Sequence, residues 1–311
     1  MKKIEQPWIK LVENLNRDDY ERIHKLEEEC TKDNAVALKL ELDYKLAAAS
    51  EATSQSGMKN INEFMFFDGP ELIGYMGINA FGGAGMPIEV NGMVHPEYRR
   101  QGVFKRLGEL VIAEWKRGNA GSMLLLSDRK SEAGQQFIQG TGAKYDHTEY
   151  EMYLRKDDAA ALTEHPVLPG LTFRKATNAD ALEINRQNAI YFGEEFDEAG
   201  DEPEFLPEVE EKRGMTIYFA EYGGKVIGKI HLQLHSGLGA IYGLGVLPEY
   251  RGKGYGRATL TLGIQKLQEA GANEVMLQVA ATNANALHLY QSCGFVETST
   301  MDYYELRADA E

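Results

Sequence analysis

Apolar residues fall at helical spacing in two stretches of the chain, Leu107, Leu110, Val111 and Trp115, and again Leu260, Ile264 and Leu267. Recurrence every three or four positions lines one face of a helix, so each stretch predicts an amphipathic helix. Each is preceded by a short apolar strand, PIEVNGMV from Pro87 and AIYGLGV from Ala240, and followed by another, SMLLLSD from Ser122 and EVMLQVA from Glu274. A short helix ending at Gly142 or Gly294 comes next. Upstream, FDGPELIGY and YGGKVIG read as tight turns between antiparallel strands. The small, polar run Ala47–Asn60 reads as a mobile loop.

The two series are copies. VHPEYRRQGVFKR at Val94–Arg106 and VLPEYRGKGYGR at Val246–Arg257 share Pro96 and Pro248, Tyr98 and Tyr250, Arg99 and Arg251, and Gly102 and Gly254 at a constant offset of 152 positions. The glycines Gly142 and Gly294 keep that offset, so the repeat extends well past one loop. Each copy runs helices, antiparallel strands, then strand–loop–helix–strand–helix–strand, which is an α+β domain. The prolines and glycine of EHPVLPG interrupt the pattern, and LTFRKA opens a new strand after them. The expectation is a first domain over 1–164, a linker over 165–170 and a second domain over 171–311.

Composition narrows the function. The 311 residues carry 43% hydrophobic and 26% charged side chains, ordinary for a globular protein with two cores of its own. A net charge of −15 argues against nucleic acid or an anionic membrane as the partner and suits a cationic one. Two cysteines, Cys30 and Cys293, give neither a disulfide framework nor a metal cluster. No signal-like apolar start or run of about 18 apolar residues is present, so the expectation is a cytoplasmic protein without metal.

Arg251, Gly252, Lys253, Gly254, Tyr255 and Gly256 lie where a strand passes into a helix. Glycines there let backbone N–H groups converge, and the helix start adds partial positive charge, so a phosphate or pyrophosphate fits. Taken alone, the string serves equally as a plain surface turn. The spacing matches neither a Walker loop nor a dinucleotide fingerprint.

Arg251-x-x-Gly254-x-Gly256 after LGVLP, with NANALHLYQSCGF some thirty residues later, resembles the GNAT superfamily of N-acetyltransferases. The likeness is strong over the second half and degraded over the first, so the chain resembles a tandem of two GNAT-like domains. The resemblance implies that each is a mixed, mostly antiparallel sheet flanked by helices. It implies acetyl-CoA as cosubstrate, its pyrophosphate on the turn Arg251–Gly256 and its pantetheine arm along Leu244, Gly245 and Val246. Tyr290 matches the family's general acid, a phenol able to protonate the leaving thiolate, and Asn283 matches its CoA-contacting asparagine. A core-facing tyrosine and a helix N-cap are the structural alternatives for these two.

The general base is left open. Tyr242 and Gly243 stand where many relatives carry a carboxylate, and His231 and His235 on the preceding strand are further candidates. At about 3.3 Å per residue these histidines stand roughly 13 Å apart, too far to share a metal. The run from Glu194 to Glu211 holds ten carboxylates. With Glu194, Glu195, Phe196 and Tyr242 it is the candidate acceptor site, for a cationic amine such as a polyamine, an aminoglycoside-like compound or a peptide terminus. A solvated acidic loop is the alternative.

In the first copy Phe104 stands in place of Gly256, Ile138 in place of Tyr290 and Ser131 in place of Asn283. Isoleucine cannot protonate a thiolate. Val94, Arg99, Arg100, Gln101, Gly102 and Val103 remain as a possible second cofactor site. The expected activity is acetyl transfer from acetyl-CoA to a small or peptidic primary amine, by a monomer or homodimer. A CoA-binding regulatory module and a longer-chain acyltransferase are the alternatives.

Overall fold

A computed structural model of the chain describes residues 1–32, 36–51, 60–80, 87–118, 121–155, 168–193, 196 and 206–307. The first half contains β1 (Pro7–Val12), α1 (Arg17–Thr31), α2 (Leu42–Glu51), β2 (Glu63–Asp68), β3 (Glu71–Asn79), β4 (Ile88–Val94), α3 (Val103–Gly118), β5 (Met123–Asp128), α4 (Glu132–Gln139) and β6 (Lys144–Arg155). The second contains β7 (Leu171–Lys175), α5 (Ala181–Phe192), α6 (Pro207–Lys212), β8 (Met215–Tyr222), β9 (Lys225–His235), β10 (Leu238–Val246), α7 (Tyr255–Glu269), β11 (Glu274–Ala280), α8 (Ala284–Ser292) and β12 (Val296–Leu306). The repeat read from the sequence is therefore a repeat of elements. One expected loop is in part helical: Ala47–Glu51 belongs to α2, where three successive alanines favour helix, and residues 52–59 lie outside the described set.

Two compact units divide the chain, Met1–Thr148 with Ser299–Glu311, and Glu149–Thr298. In the first unit the strand order is β1-β2-β3-β4-β5-β12, antiparallel except for the parallel pair β4–β5. In the second it is β7-β8-β9-β10-β11-β6, again antiparallel except for β10–β11. Each sheet is thus completed by the last strand of the other half of the sequence. The compact units consequently change at Thr148 and Thr298, within β6 and β12, whereas the sequence repeat breaks near the 165–170 segment.

The helical faces bury the residues whose spacing marked them. Leu107, Val111 and Trp115 of α3 join Ile73, Met123 and Leu125 in one core, and Leu260, Ile264 and Leu267 of α7 join Ile230, Leu232 and Leu277 in another. Truncating one such leucine to alanine typically costs about 2–5 kcal/mol. The opposite sheet faces are covered too, by Ile23 and Leu26 of α1 over Met65 and by Ile184 of α5 over Ile217 and Phe219. These layers fix the ends of β4 and β10, where the repeated glycine turns begin.

Candidate functional site

In the second unit β10 pairs in parallel with β11 only over Leu238–Ile241. From Tyr242 onward β10 stays with β9, while Gln278–Ala280 of β11 stay with β6. The two strands part, so the pairing of β10 with β11 does not continue past Ile241. At the same point β10 is bulged: Tyr242 pairs with His231 and Gly245 with Lys229, so Gly243 and Leu244 together oppose Ile230. A bulge of this kind re-aims backbone groups and is common beside active sites. Gly243 takes φ +53°, a left-handed conformation that glycine adopts without penalty.

The glycine turn follows directly. Gly252 and Gly254 have φ of +72° and +85°, and Gly254 opens α7 with no side-chain cap on the first N–H groups. By contrast α1 and α8 begin with a side chain bonded to those donors, Asn16 and Asn283 respectively. The start of α7 therefore keeps free donors together with the positive end of the helix dipole. Arg251 Nε donates to the Val246 carbonyl at 2.9 Å, clamping the turn to the end of β10, and Lys253 Nζ donates to the Glu249 carbonyl at 3.0 Å. Tyr255, the first residue of α7, is buried. A Cβ on Gly256 would lie 3.6 Å from Leu289 and 3.9 Å from Val246, so strand end, turn and α8 converge there.

Tyr290 sits on α8, buried, with its ring 6.0 Å from Phe295. Burial raises its phenol to about 12, so the hydroxyl stays protonated at any working pH. Asn283 is the N-cap of α8, its side chain accepting from Ala286 N at 3.2 Å. Of the acceptor candidates, Tyr242 is half-buried at the bulge and Phe196 is half-buried, while Glu194 and Glu195 lie outside the described residues. The described end of the acidic run is already engaged: Glu210 pairs with Arg213 at 2.7 Å, Glu211 with Lys175, and Glu208 accepts from Asn178. His235 is exposed at the far end of β9.

Two residues at the bulge were missed by the sequence reading. Lys229 alternates with His231 along β9, on the face away from Ile230 and Leu232, and is 0% exposed. Its Nζ lies 3.1 Å from His231 Nε2, 3.3 Å from the Gly243 carbonyl and 5.5 Å from the centre of the Tyr191 ring. Burial alone brings the Lys229 amine down to about 7, and burial followed by the Lys229 charge holds His231 well below the usual imidazole range. Tyr191, on α5, covers the bulge, since a Cβ on Gly245 would overlap its ring. The available signal was a lysine at an interior position of an otherwise apolar strand, VIGKIHL.

The first unit repeats this frame with parts changed. β4 leaves β5 after Val90, Arg99 Nε donates to the Val94 carbonyl at 3.2 Å, and Ser131 caps α4. Arg100 and Gly102, the counterparts of Gly252 and Gly254, have φ of +64° and +81°. The turn keeps its backbone shape even with an arginine in the left-handed position. Gln101 is tied to the N-terminal segment through Lys2 and Ile4, and Val103 is buried at the start of α3. Here, however, β3 and β4 pair without a bulge from Gly74↔Val94 to Asn79↔Glu89. Phe104 stacks edge-on against Phe137 at 4.6 Å beside a cavity of about 50 Å³ lined also by Asn91, Ser127 and Ile138.

A mixed sheet that parts at a parallel pair, with a glycine turn and an uncapped helix after the parting strand, is the architecture of an acyl-CoA-dependent transferase, and the parting sheet with its arginine-clamped turn occurs twice. Residues 182–295 match the profile of the acetyltransferase (GNAT) family. A mycothiol acetyltransferase of Clavibacter sepedonicus is 30% identical over 223 residues, covering 70% of this chain and 71% of that protein. One of Streptomyces coelicolor is 26% identical over 258 residues, covering 77% and 78%. Among solved structures, a tandem GNAT protein from the clavulanic acid biosynthesis pathway superposes with a TM-score of 0.71 at 15% identity, covering 98% of this chain and 100% of that one. The chain belongs to the GNAT family of acetyltransferases, with two GNAT folds in tandem. No helix of the described residues is long and apolar enough to cross a membrane.

Proposed function

We propose that the chain transfers an acetyl group from acetyl-CoA to a primary amine of a small or peptidic acceptor, with the chemistry in the second unit. The observation that carries this reading is that, among the described residues, the second unit alone combines the bulged, parting strand with glycine at all three of 252, 254 and 256 and a tyrosine on α8. The edge of Leu244–Val246 from which β11 departs fits an extended pantetheine amide chain, and the donors of Gly252–Gly256 fit a pyrophosphate. Acetyl-CoA, when bound, supplies the activated thioester. Backbone N–H groups re-aimed at the bulge stabilise charge on the thioester oxygen, a contribution worth about 3–4 kcal/mol per donor. Tyr290 gives its proton to the departing sulfur. The mycothiol acetyltransferase relatives support a small-molecule amine as acceptor.

Gly243 and Gly245 of β10 do not favour a longer acyl chain. The space beside Gly245 is filled by Tyr191, and a Cβ at Gly243 would meet Lys229 Nζ and His231 at 3.2 Å. In the first unit, Phe104 and the absence of Tyr290's counterpart argue for architecture without transfer chemistry.

Thiol release from acetyl-CoA, measured with spermidine, kanamycin, glucosamine and a basic peptide with a free N-terminus, tests the reading. Turnover with at least one amine is expected, with one strong CoA site per chain by calorimetry. Tight CoA binding without turnover across the panel would make the chain a binding module, and two equal sites would restore the first unit as a partner in binding.

A further inference from the structure

Acetyl transfer to an alkyl amine needs a group that removes the ammonium proton before attack, because a protonated nitrogen has no free electron pair. Neither β9 nor β10 carries a carboxylate, and Tyr242 and Gly243 stand at the bulge. We propose that Lys229 is the general base: the neutral amine at the β10 bulge accepts the proton that the acceptor's ammonium group gives up. This rests on the acetyl-transfer reading above.

The geometry selects Lys229. It stands on the α5-facing side of the sheet, opposite the α7 side where Ile230 and Leu232 pack, and its Nζ touches the carbonyl of Gly243 within the bulge. That places it beside the strand segment proposed to hold the thioester. Among the described residues no carboxylate pairs with it, and its remaining polar neighbour is a histidine that is itself neutral. An ammonium group buried without a counter-charge costs several kcal/mol, so the amine sheds its proton instead.

The surrounding charges do not reverse this. On β9 the titratable neighbour is His231, at the bulge it is Tyr242, and on α5 it is Tyr191. Tyr191 donates to Gln187, which in turn bonds Glu183, and Glu183 is already paired with Arg186. Arg251 and Glu249 act on Tyr191 with opposite sign. On β8, Phe219 pairs with Lys229, and Arg174 over that ring is held by Asp180 and Glu221.

The proton balance is complete. The acceptor's R–NH3⁺ passes one proton to Lys229 Nζ, directly or across one water, and its freed electron pair forms the C–N bond. The C–S bond breaks, the sulfur takes the Tyr290 proton, and the second proton of the nitrogen restores Tyr290. Lys229 then returns its proton to solvent. The net products are the amide, the free thiol and one released proton.

Lys229→Met and Lys229→Arg are compared with the unaltered protein, using acetyl-CoA and the panel amine that turns over fastest. The expectation is a kcat lowered on the order of 10²–10³-fold in both. The acid limb of the rate profile near pH 7 disappears in Lys229→Met, and the acetyl-CoA KM stays within twofold. Arginine is as poor as methionine because a guanidinium does not give up its proton. A second readout needs no turnover: the ¹³Cε resonance of Lys229, assigned by its loss in Lys229→Met, titrates with a midpoint about 7. Retention of kcat and of the acid limb in Lys229→Met, or a midpoint near 10, overturns the proposal. Absence of thiol release from the unaltered protein would instead refute the acetyl-transfer reading, and the resonance midpoint then decides the state of Lys229 independently.

Discussion

Replacing Lys229 with methionine, a side chain of similar length without a charge, removes a fully buried amine from the second unit. The lysine falls from 10.5 in its ordinary state to about 7 in the fold. At 1.36 kcal/mol per unit, that displacement corresponds to about 5 kcal/mol. Its sign follows from proton counting. Below pH about 7 both folded and unfolded lysine are charged, and the fold bears the full cost of burial. Between about 7 and 10.5 the unfolded chain binds more protons than the folded one, so stability rises with pH. Above 10.5 both are neutral and the cost is gone. Methionine has no such dependence, but it leaves His231 Nε2 and the Gly243 carbonyl without their donor, at about 1 kcal/mol each.

Lys229→Met is therefore expected to be the more stable protein at pH 7, by about 3 kcal/mol, or roughly 6–12 °C in the unfolding midpoint of the second unit. Urea unfolding of both proteins from pH 7 to pH 10 measures the difference; titrating groups away from Lys229 cancel in it, and His231, held low mainly by burial, is neutral over this range. The advantage of methionine should shrink by about 1.4 kcal/mol per pH unit above pH 7 and vanish before pH 10. A difference that stays constant across this range would mean a lysine charged throughout and compensated by a partner, and the reasoning would be refuted.

Two further substitutions probe the turn and the exchanged strand. Gly254→Ala forces an L-residue into φ +85°, a strain of about 1–2 kcal/mol, and should raise the acetyl-CoA KM several-fold in steady-state kinetics while kcat at saturation stays within twofold. Arg129→Ala frees the buried Asp302 carboxylate of β12 from bonds of 2.6 and 3.1 Å, leaving Thr148 as a donor at 2.6 Å. Arg129 is half exposed, so a loss of about 1–2 kcal/mol is expected in urea unfolding, below the 3–5 kcal/mol of a fully buried pair.

The parts of this fold legible in the sequence are those governed by local pattern. Apolar spacing located α3 and α7, and turn residues located the β2–β3 and β8–β9 hairpins. The constant offset paired Arg99 with Arg251, but their shared backbone clamp on Val94 and Val246 emerges only in the structure. The exchange of β6 and β12 was not legible, because alternation tells that a strand exists without telling which edge it joins. The bulge was equally hidden, since it depends on β9 and β10 differing in the number of residues between paired positions. Lys229 escaped for a related reason. A lysine in a strand is usually at the solvent face, and here the Tyr191 ring, His231 and the Gly243 carbonyl surround an interior amine. The acidic run shows the converse: a conspicuous charge pattern whose described carboxylates Glu208, Glu210 and Glu211 are occupied within the unit.

The central claim, acetyl transfer in the second unit with Tyr290 as proton donor, is tested most directly by Tyr290→Phe. The substitution keeps the packing of the ring against Phe295 and removes only the hydroxyl. Acetyl-CoA turnover with the best panel amine is expected to fall on the order of 10²–10⁴-fold, with calorimetric CoA affinity within twofold. Full turnover in Tyr290→Phe, or loss of CoA binding along with turnover, would contradict the account.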